Sequence, residues 1–443
     1  MESFFKKKTL FYTFFILTIV IIASTISVFK LRINSYGLPP FKRLRPELIQ
    51  QGDFSYLREF ITAHIRERMQ QTSVVGLSIA LVDHQTLVWA EGFGYQNRED
   101  NIKASDKTIY NLASTTKVIT ATAIMQLVER GLINLDKPIH SYVPEFQIKT
   151  RLKDTEPITV RSLLIHHSGL PGDREINQFT RQPYEHFSVV LNHYKSEFTA
   201  YPPGFVWTYC NLGYNLLGVI IERVSGMTYE DYIHQNIFKP LGMHNTAVSR
   251  VDIPADLHSK VYRTKTNSSF WLSHFRDRPA GGLLSSVSEM SLFMRMVLNN
   301  GTFNGEQILQ QGTLEQMLTA QNGDIPLDVG FKLGLGWYLD RVCFRYAGRY
   351  CGHGGDFATA HTLMSLLPDH NLGVIVTANT DTAATMVREI ADLTLQLALE
   401  IKTGLGPPEE NLKIAKLSEN QLHEFEGLYA TKFGLYTIKA DNA

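Results

Sequence analysis

Ser114 and Lys117 stand three residues apart in the run Ser114-Thr115-Thr116-Lys117, which opens an apolar helical stretch. Side chains at i and i+3 share one helical face, so the hydroxyl and the amine are held together. A serine hydroxyl is a weak nucleophile until a neighbouring base takes its proton, and a lysine kept neutral beside it supplies that base. The first turn of a helix also carries unpaired N–H groups and the positive end of the dipole, which favour developing negative charge. The S-x-x-K pattern is not selective by itself. It recurs at Ser3–Lys6 and Ser27–Lys30, which flank an uncharged apolar segment and cannot form active sites.

An acylated serine needs a proton relay to the leaving group, a polar group for the acyl part and donors for the oxyanion. Tyr209-Cys210-Asn211 offers the first two, just before a helix. A tyrosine beside a lysine gives up its proton more readily, because positive charge favours the phenolate. An asparagine both donates and accepts, which suits a substrate amide or carbonyl. His353-Gly354-Gly355 falls on a late strand edge, where glycines let substrate approach the backbone. Each piece has decoys, Tyr95-Gln96-Asn97 and His167-Ser168-Gly169 among them. The order Ser114, Tyr209, His353, each on a suitable element, is what selects the set.

Those elements are legible in outline. Two apolar runs, 74–82 and 87–95, read as a hairpin, and 54–70 as a helix before it. The Ser114 helix runs to Arg130, is stopped by Gly131, and is apolar nearly all round, which predicts a central, buried helix. Further helices are expected at 160–167, 211–224, 229–237, 289–298 and 382–401, with late strands at 334–339, 343–346, 362–367 and 373–379. Strands at both ends and helices between predict an α/β (α+β) fold. One antiparallel sheet is assembled from distant segments and flanked by helices, with a mostly helical insert.

With these motifs in place, the chain resembles the serine β-lactamase and penicillin-binding-protein superfamily, on the side of class C β-lactamases, DD-peptidases and related esterases. The resemblance covers roughly 53–401. It extends through Thr159-Val160-Arg161-Ser162-Leu163-Leu164-Ile165-His166-His167-Ser168-Gly169-Leu170-Pro171-Gly172, Pro203-Gly204, Pro240-Leu241-Gly242-Met243 and Ala280-Gly281-Gly282-Leu283. It implies a β-lactamase/transpeptidase-like fold with Ser114 as nucleophile, Lys117 as its base partner, Tyr209 as general acid/base and Asn211 as a substrate contact. His353-Gly354-Gly355 stands where the family usually carries Lys-Thr-Gly or His-Thr-Gly, and the oxyanion donors would be the backbone N–H groups of Ser114 and Asp356. Gly354 removes a hydroxyl that helps penicillin-recognising members hold a carboxylate. That favours an ester, a small amide or a peptide over a β-lactam. The alternatives are a β-lactamase or DD-carboxypeptidase, and a silent scaffold that has kept the fold.

Lys+Arg and Asp+Glu each number 43, so no polyanion is attracted and nucleic acid is excluded as a partner. The expected partners are a small-molecule or peptide substrate and a membrane; the oligomeric state is not readable. No cofactor is implied, and Cys351, His353 and His361 match no zinc spacing. His166-His167 reads as a turn pair. Residues 9–29 are uncharged and long enough to span a bilayer, after a 1–8 tail with Lys6-Lys7-Lys8. A single N-terminal anchor is expected, followed by a basic stalk at 30–52 and an extracytoplasmic hydrolase domain at 53–402. Cys343 and Cys351 lie in what reads as a hairpin (342–346 and 350–354), and either bridge or stay free. The segment 403–443, with Glu426-Gly427-Leu428-Tyr429, resembles the start of a lipocalin-like barrel.

Overall fold

The apolar run after residue 74 becomes the central strand of an antiparallel sheet in the computed structural model. That model describes residues 51–408 apart from 173–178, 181–184, 250–252, 255 and 272–273, together with 423, 426–431 and 434–438. Strands β1 (Gly76–Asp83), β2 (Thr86–Asn97), β3 (Ile102–Lys103), β4 (Cys351–Asp356), β5 (His361–Leu367) and β6 (Leu372–Ala378) are ordered β4-β5-β6-β1-β2-β3. An early and a late segment of the chain therefore pair in mid-sheet, with Ala80 opposite Ile375 on one side and Ala90 on the other.

Both faces of this sheet are covered, which is why β1, β5 and β6 are buried almost without a break and largely apolar rather than alternating. Leu77, Ile79, Leu81, Val374 and Val376 face helices α1 (Ser55–Thr72) and α7 (Ala384–Thr403). Ala80, Val82 and Ile375 point the other way, into a larger core built around α2 (Thr116–Glu129), α4 (Asn211–Ser225) and α6 (Val287–Leu298). Two short helices serve the site, α3 (Val160–Leu164) and α5 (Arg278–Gly281). Every residue of α2 from Thr116 to Leu127 is buried, as its composition predicts.

The structure corrects several expectations. Residues 334–339 are not a strand; Leu333 and Gly352 each make an isolated bridge to Tyr338. The expected strand at 343–346 is a 3-10 helix, Val342–Ala347. Phe344 and Ala347, three residues apart, are the ones that bury, and that spacing fits three residues per turn. Arg341 clamps its start through a two-pronged contact to Asp392 at 2.7 and 2.6 Å. Without a hairpin the thiols part. Cys343 packs with the α1/α7 core, Cys351 belongs to the α2 core, and both are free.

Residues 46–407 form one compact unit. In the other, Gly427–Thr431 and Gly434–Ile438 pair as an antiparallel hairpin. Among the described residues no helix is long and apolar enough to cross a membrane. The expected span at 9–29 lies outside the described residues, as does most of 403–443.

Candidate active site

Ser114 sits not in the α-helix itself but in a 3-10 turn, Ala113–Thr115, that feeds directly into α2. Ala113 is held at φ +46°, a left-handed conformation that costs a non-glycine residue about 1–3 kcal/mol. The surroundings enforce it. The Ala113 N–H donates to Asn111 Oδ1 at 2.8 Å, and Thr116 Oγ1 donates to the Ala113 carbonyl at 2.6 Å. The turn leaves Ser114 half-buried at the mouth of the helix.

Lys117, one turn on, is fully buried. Its Nζ lies 3.3 Å from Ser114 Oγ, 2.6 Å from Asn211 Oδ1 and 2.7 Å from the Ala280 carbonyl oxygen. Two of these partners only accept, so they take two N–H bonds and orient the nitrogen. The third direction, a lone pair in the neutral amine, is left aimed at the serine hydroxyl. The Ala280 carbonyl is delivered by α5, which packs tightly on α4. A Cβ at Gly218 would come within 2.3 Å of Pro279 Cγ, so only glycine fits there. Thr120 Oγ1 holds the Pro279 carbonyl at 2.7 Å.

Tyr209 donates its hydroxyl to Ser114 Oγ at 2.8 Å, and Lys117 Nζ stands 4.8 Å from the centre of its ring. The extended segment that carries it is pinned by the 166–169 turn. Thr208 N–H donates to the His166 carbonyl at 2.8 Å and Cys210 N–H to His166 Nδ1 at 3.2 Å. The His166 ring lies 4.4 Å from the Tyr209 ring, and its backbone takes φ +59°. Burial, then the charge of Lys117, holds the His166 imidazole well below its ordinary pKa, so it stays neutral. Sequence reasoning missed His166 as a neighbour of the site, since nothing local marks a turn residue that folds onto a tyrosine 43 positions later. His167 is the satisfied turn residue expected, its Nε2 2.7 Å from Asp328 with both side chains buried.

The third motif occupies β4, an edge strand. Gly352 exchanges both backbone bonds with Tyr338 at 3.0 Å on the outer edge. By the two-residue period of a strand, Gly354 and Asp356 present their N–H and C=O groups on that same edge. A Cβ at Gly355 would lie 2.0 Å from the Leu112 carbonyl and 3.1 Å from the Ser114 amide nitrogen, so glycine is what lets the strand lie against the nucleophile turn. His353 is buried, with its ring 4.9 Å from Tyr338 and Nδ1 2.6 Å from the Gly354 carbonyl. Burial, then Lys117, pushes its pKa down to about 3, so it carries no positive charge near neutrality. The Asp356 carboxylate is taken by His361 at 2.7 Å and by Arg388. The structure thus gathers Ser114, Lys117, Tyr209 and Asn211 within direct hydrogen-bond reach, and places Gly355 against them with His353, Gly354 and Asp356 on the adjoining strand.

The beta-lactamase family model matches residues 61–399. Protein flp of Staphylococcus aureus (strain NCTC 8325 / PS 47) is 25% identical over 326 residues, covering 71% of this chain and 61% of flp. The putative penicillin-binding protein PbpX of Bacillus subtilis (strain 168) is 28% identical over 278 residues, 62% of this chain and 63% of PbpX. The chain thus spans about three fifths of the length of these relatives. Among solved structures, the octameric penicillin-binding protein homologue from Pyrococcus abyssi superposes with a TM-score of 0.67 at 28% identity, covering 87% of this chain and 86% of that one. A beta-lactamase/D-alanine carboxypeptidase from Pseudomonas syringae shares the fold with a TM-score of 0.63 at 21% identity, over 77% of this chain and 99% of that one. The match over the whole sheet-and-helix unit, with the serine, lysine and tyrosine drawn together, identifies this chain as a member of the beta-lactamase family, within the serine β-lactamase and penicillin-binding-protein superfamily.

Proposed function

We propose that the protein is a serine hydrolase that cleaves an ester or a small amide or peptide bond through an acyl-enzyme on Ser114. The convergence of Lys117 Nζ and Tyr209 OH on one serine oxygen carries this reading. Ser114 Oγ attacks the carbonyl carbon as its proton passes to the Lys117 amine. The oxyanion is met by the Ser114 N–H and by the outward N–H of Asp356. Tyr209, replenished from Lys117, hands a proton to the leaving oxygen or nitrogen, and Asn211 contacts the substrate. Water then repeats the cycle to release the acid. A retired scaffold would be expected to have lost the nucleophile or its base, and here both persist in bonding geometry. Labelling with a fluorescent phosphonate tests the reading. The parent chain is expected to label and Ser114→Ala to lose both label and turnover while staying folded; a label that survives in Ser114→Ala would sink it.

Neutral His353 and the hydroxyl-free Gly354 give a substrate carboxylate no fixed charge and no side-chain donor on β4. Losing a hydrogen bond to a charged group costs about 1.5–3 kcal/mol, roughly ten- to a hundredfold in affinity. Short esters are therefore expected to be cleaved with higher kcat/KM than nitrocefin or penicillins. A Cβ at 354 meets only the Thr362 carbonyl at 3.6 Å and a Leu363 methyl at 3.9 Å, so Gly354→Thr fits and is expected to move the ratio toward β-lactams. Nitrocefin turnover exceeding esterase turnover in the parent protein would refute this preference.

We further infer that residues 9–29 anchor the chain in a membrane with the hydrolase unit outside the cytoplasm. The uncharged apolar run after three lysines supports this. Protease added to intact cells is expected to remove the hydrolase unit; complete protection would place it inside.

A further inference from the structure

Three half-buried aromatic rings stand in series between the two arms of the site. The Trp207 ring centre is 6.3 Å from that of Tyr209 and 5.7 Å, edge-on, from Phe331. Phe331 lies 5.6 Å from Tyr338, which lies 4.9 Å from His353. The series starts at the side chain that bonds Ser114 Oγ and ends on the strand that lies against the Ser114 turn. Trp207, Phe331 and Tyr338 are each only partly buried. Aromatic surface left open beside a reactive serine is surface that a substrate can cover.

The wall is rigidly held by groups that acyl transfer does not use. The buried Asp328 carboxylate accepts the Trp207 backbone N–H at 3.0 Å on one oxygen and is bonded by His167 at 2.7 Å on the other. Its backbone carbonyl accepts the Phe331 N–H at 2.9 Å, and Asn322 Nδ2 holds the Phe331 carbonyl at 2.7 Å. Tyr338 is fixed by its two bonds to Gly352. Asp328 thus positions two of the three ring-bearing segments relative to Tyr209, one through its carboxylate and one through its backbone carbonyl. None of the three rings bears a formal charge, and the guanidinium of Arg388, on α7, is already engaged by Asp356 of the neighbouring strand. The chemistry that fits such a surface is hydrocarbon.

We propose that Trp207, Phe331 and Tyr338 form a subsite for an apolar hydrocarbon group of the substrate, on either the acyl or the alcohol side of the bond cleaved at Ser114. This rests on the acyl-enzyme reading and names what kind of substrate that site prefers.

The test uses the full chain and two ester series: p-nitrophenyl esters from acetate to octanoate, and acetates of ethanol to octanol. In one series kcat/KM is expected to rise about two- to fourfold per methylene over the first carbons. Trp207→Ala and Phe331→Ala are each expected to cut that slope by at least about half. The series that responds tells which side of the bond the wall receives. A parent protein with no slope in either series, or a slope that survives Trp207→Ala, overturns the subsite. So does a slope lost only in Phe357→Ala, whose ring pairs with Phe275 at 4.9 Å away from this wall. The phosphonate label on Ser114 keeps the two readings apart, because an unlabelled parent condemns the hydrolase and not the wall. Calorimetric binding of p-nitrophenyl hexanoate to Ser114→Ala then decides the subsite by itself. Binding that Trp207→Ala weakens at least about tenfold sustains it, and no binding or unchanged binding refutes it.

Discussion

Lys117→Arg is expected to lower kcat/KM for the best ester by about two to four orders of magnitude, the range a positioned general base contributes. The reason lies in the three directions around Nζ. Asn211 Oδ1 and the Ala280 carbonyl consume two N–H bonds, so an amine turns its lone pair to Ser114 and an arginine has none to turn. The planar guanidinium also cannot reproduce a tetrahedral set of three partners in a fully buried position. The measurements are kcat/KM against pH for both proteins, the labelling rate at Ser114 and a thermal melt to show that the variant folds. Activity within tenfold of the parent in a folded Lys117→Arg would remove the base role.

The second large effect is loss of stability in mild acid. His353 has an ordinary imidazole pKa when unfolded and is pushed down to about 3 when folded, by burial and then by the charge of Lys117. Between about pH 6.5 and pH 3 the unfolded chain therefore binds a proton that the folded chain refuses. The stability associated with a neutral His353 is complete above pH 6.5 and is lost progressively as pH falls toward 3. At 1.36 kcal/mol per unit, that approaches about 4–5 kcal/mol across the window, and about 2 kcal/mol by pH 5. His166 is displaced in the same direction for the same leading reason and adds to the loss. The carboxyls of Asp356 and Glu389, held below their usual range by His361 and Arg388 and by His64 and Arg68 against the cost of burial, contribute further loss at lower pH. Melting temperature is thus expected to fall steadily from pH 7 to pH 4. His353→Gln, which keeps a donor for the Gly354 carbonyl, is expected to flatten that slope. A slope identical in parent and variant would show that His353 is not excluded from protonation.

Much of the fold and the heart of the site were readable from the chain, and the reason is range. The Ser114–Lys117 pairing is set by helical pitch, the buried character of α2 by its apolar composition, and β1, β5 and β6 by short apolar runs. All of these signals act within a few residues, and the structure keeps them with shifts of one or two positions. Where a local signal was ambiguous it failed. The stretch 342–347 is apolar and aromatic enough for a strand, yet it coils as a 3-10 turn because Arg341 is tied to Asp392 and because Phe344 and Ala347 must bury together.

Local sequence determined which residues could do chemistry; the tertiary structure alone decided what each of them experiences. The Tyr209 hydroxyl reaches Ser114 across 95 residues, and the Ala280 carbonyl reaches Lys117 across 163. A backbone carbonyl has no side chain to betray its role. His353 is by type either neutral or charged, and burial makes it neutral. His166 and the Trp207–Phe331–Tyr338 wall come together only when two loops close over Asp328, a carboxylate 161 residues from its partner His167. Such contacts leave no periodicity in the chain, because they are set by how the sheet and its helices bring distant loops to one edge.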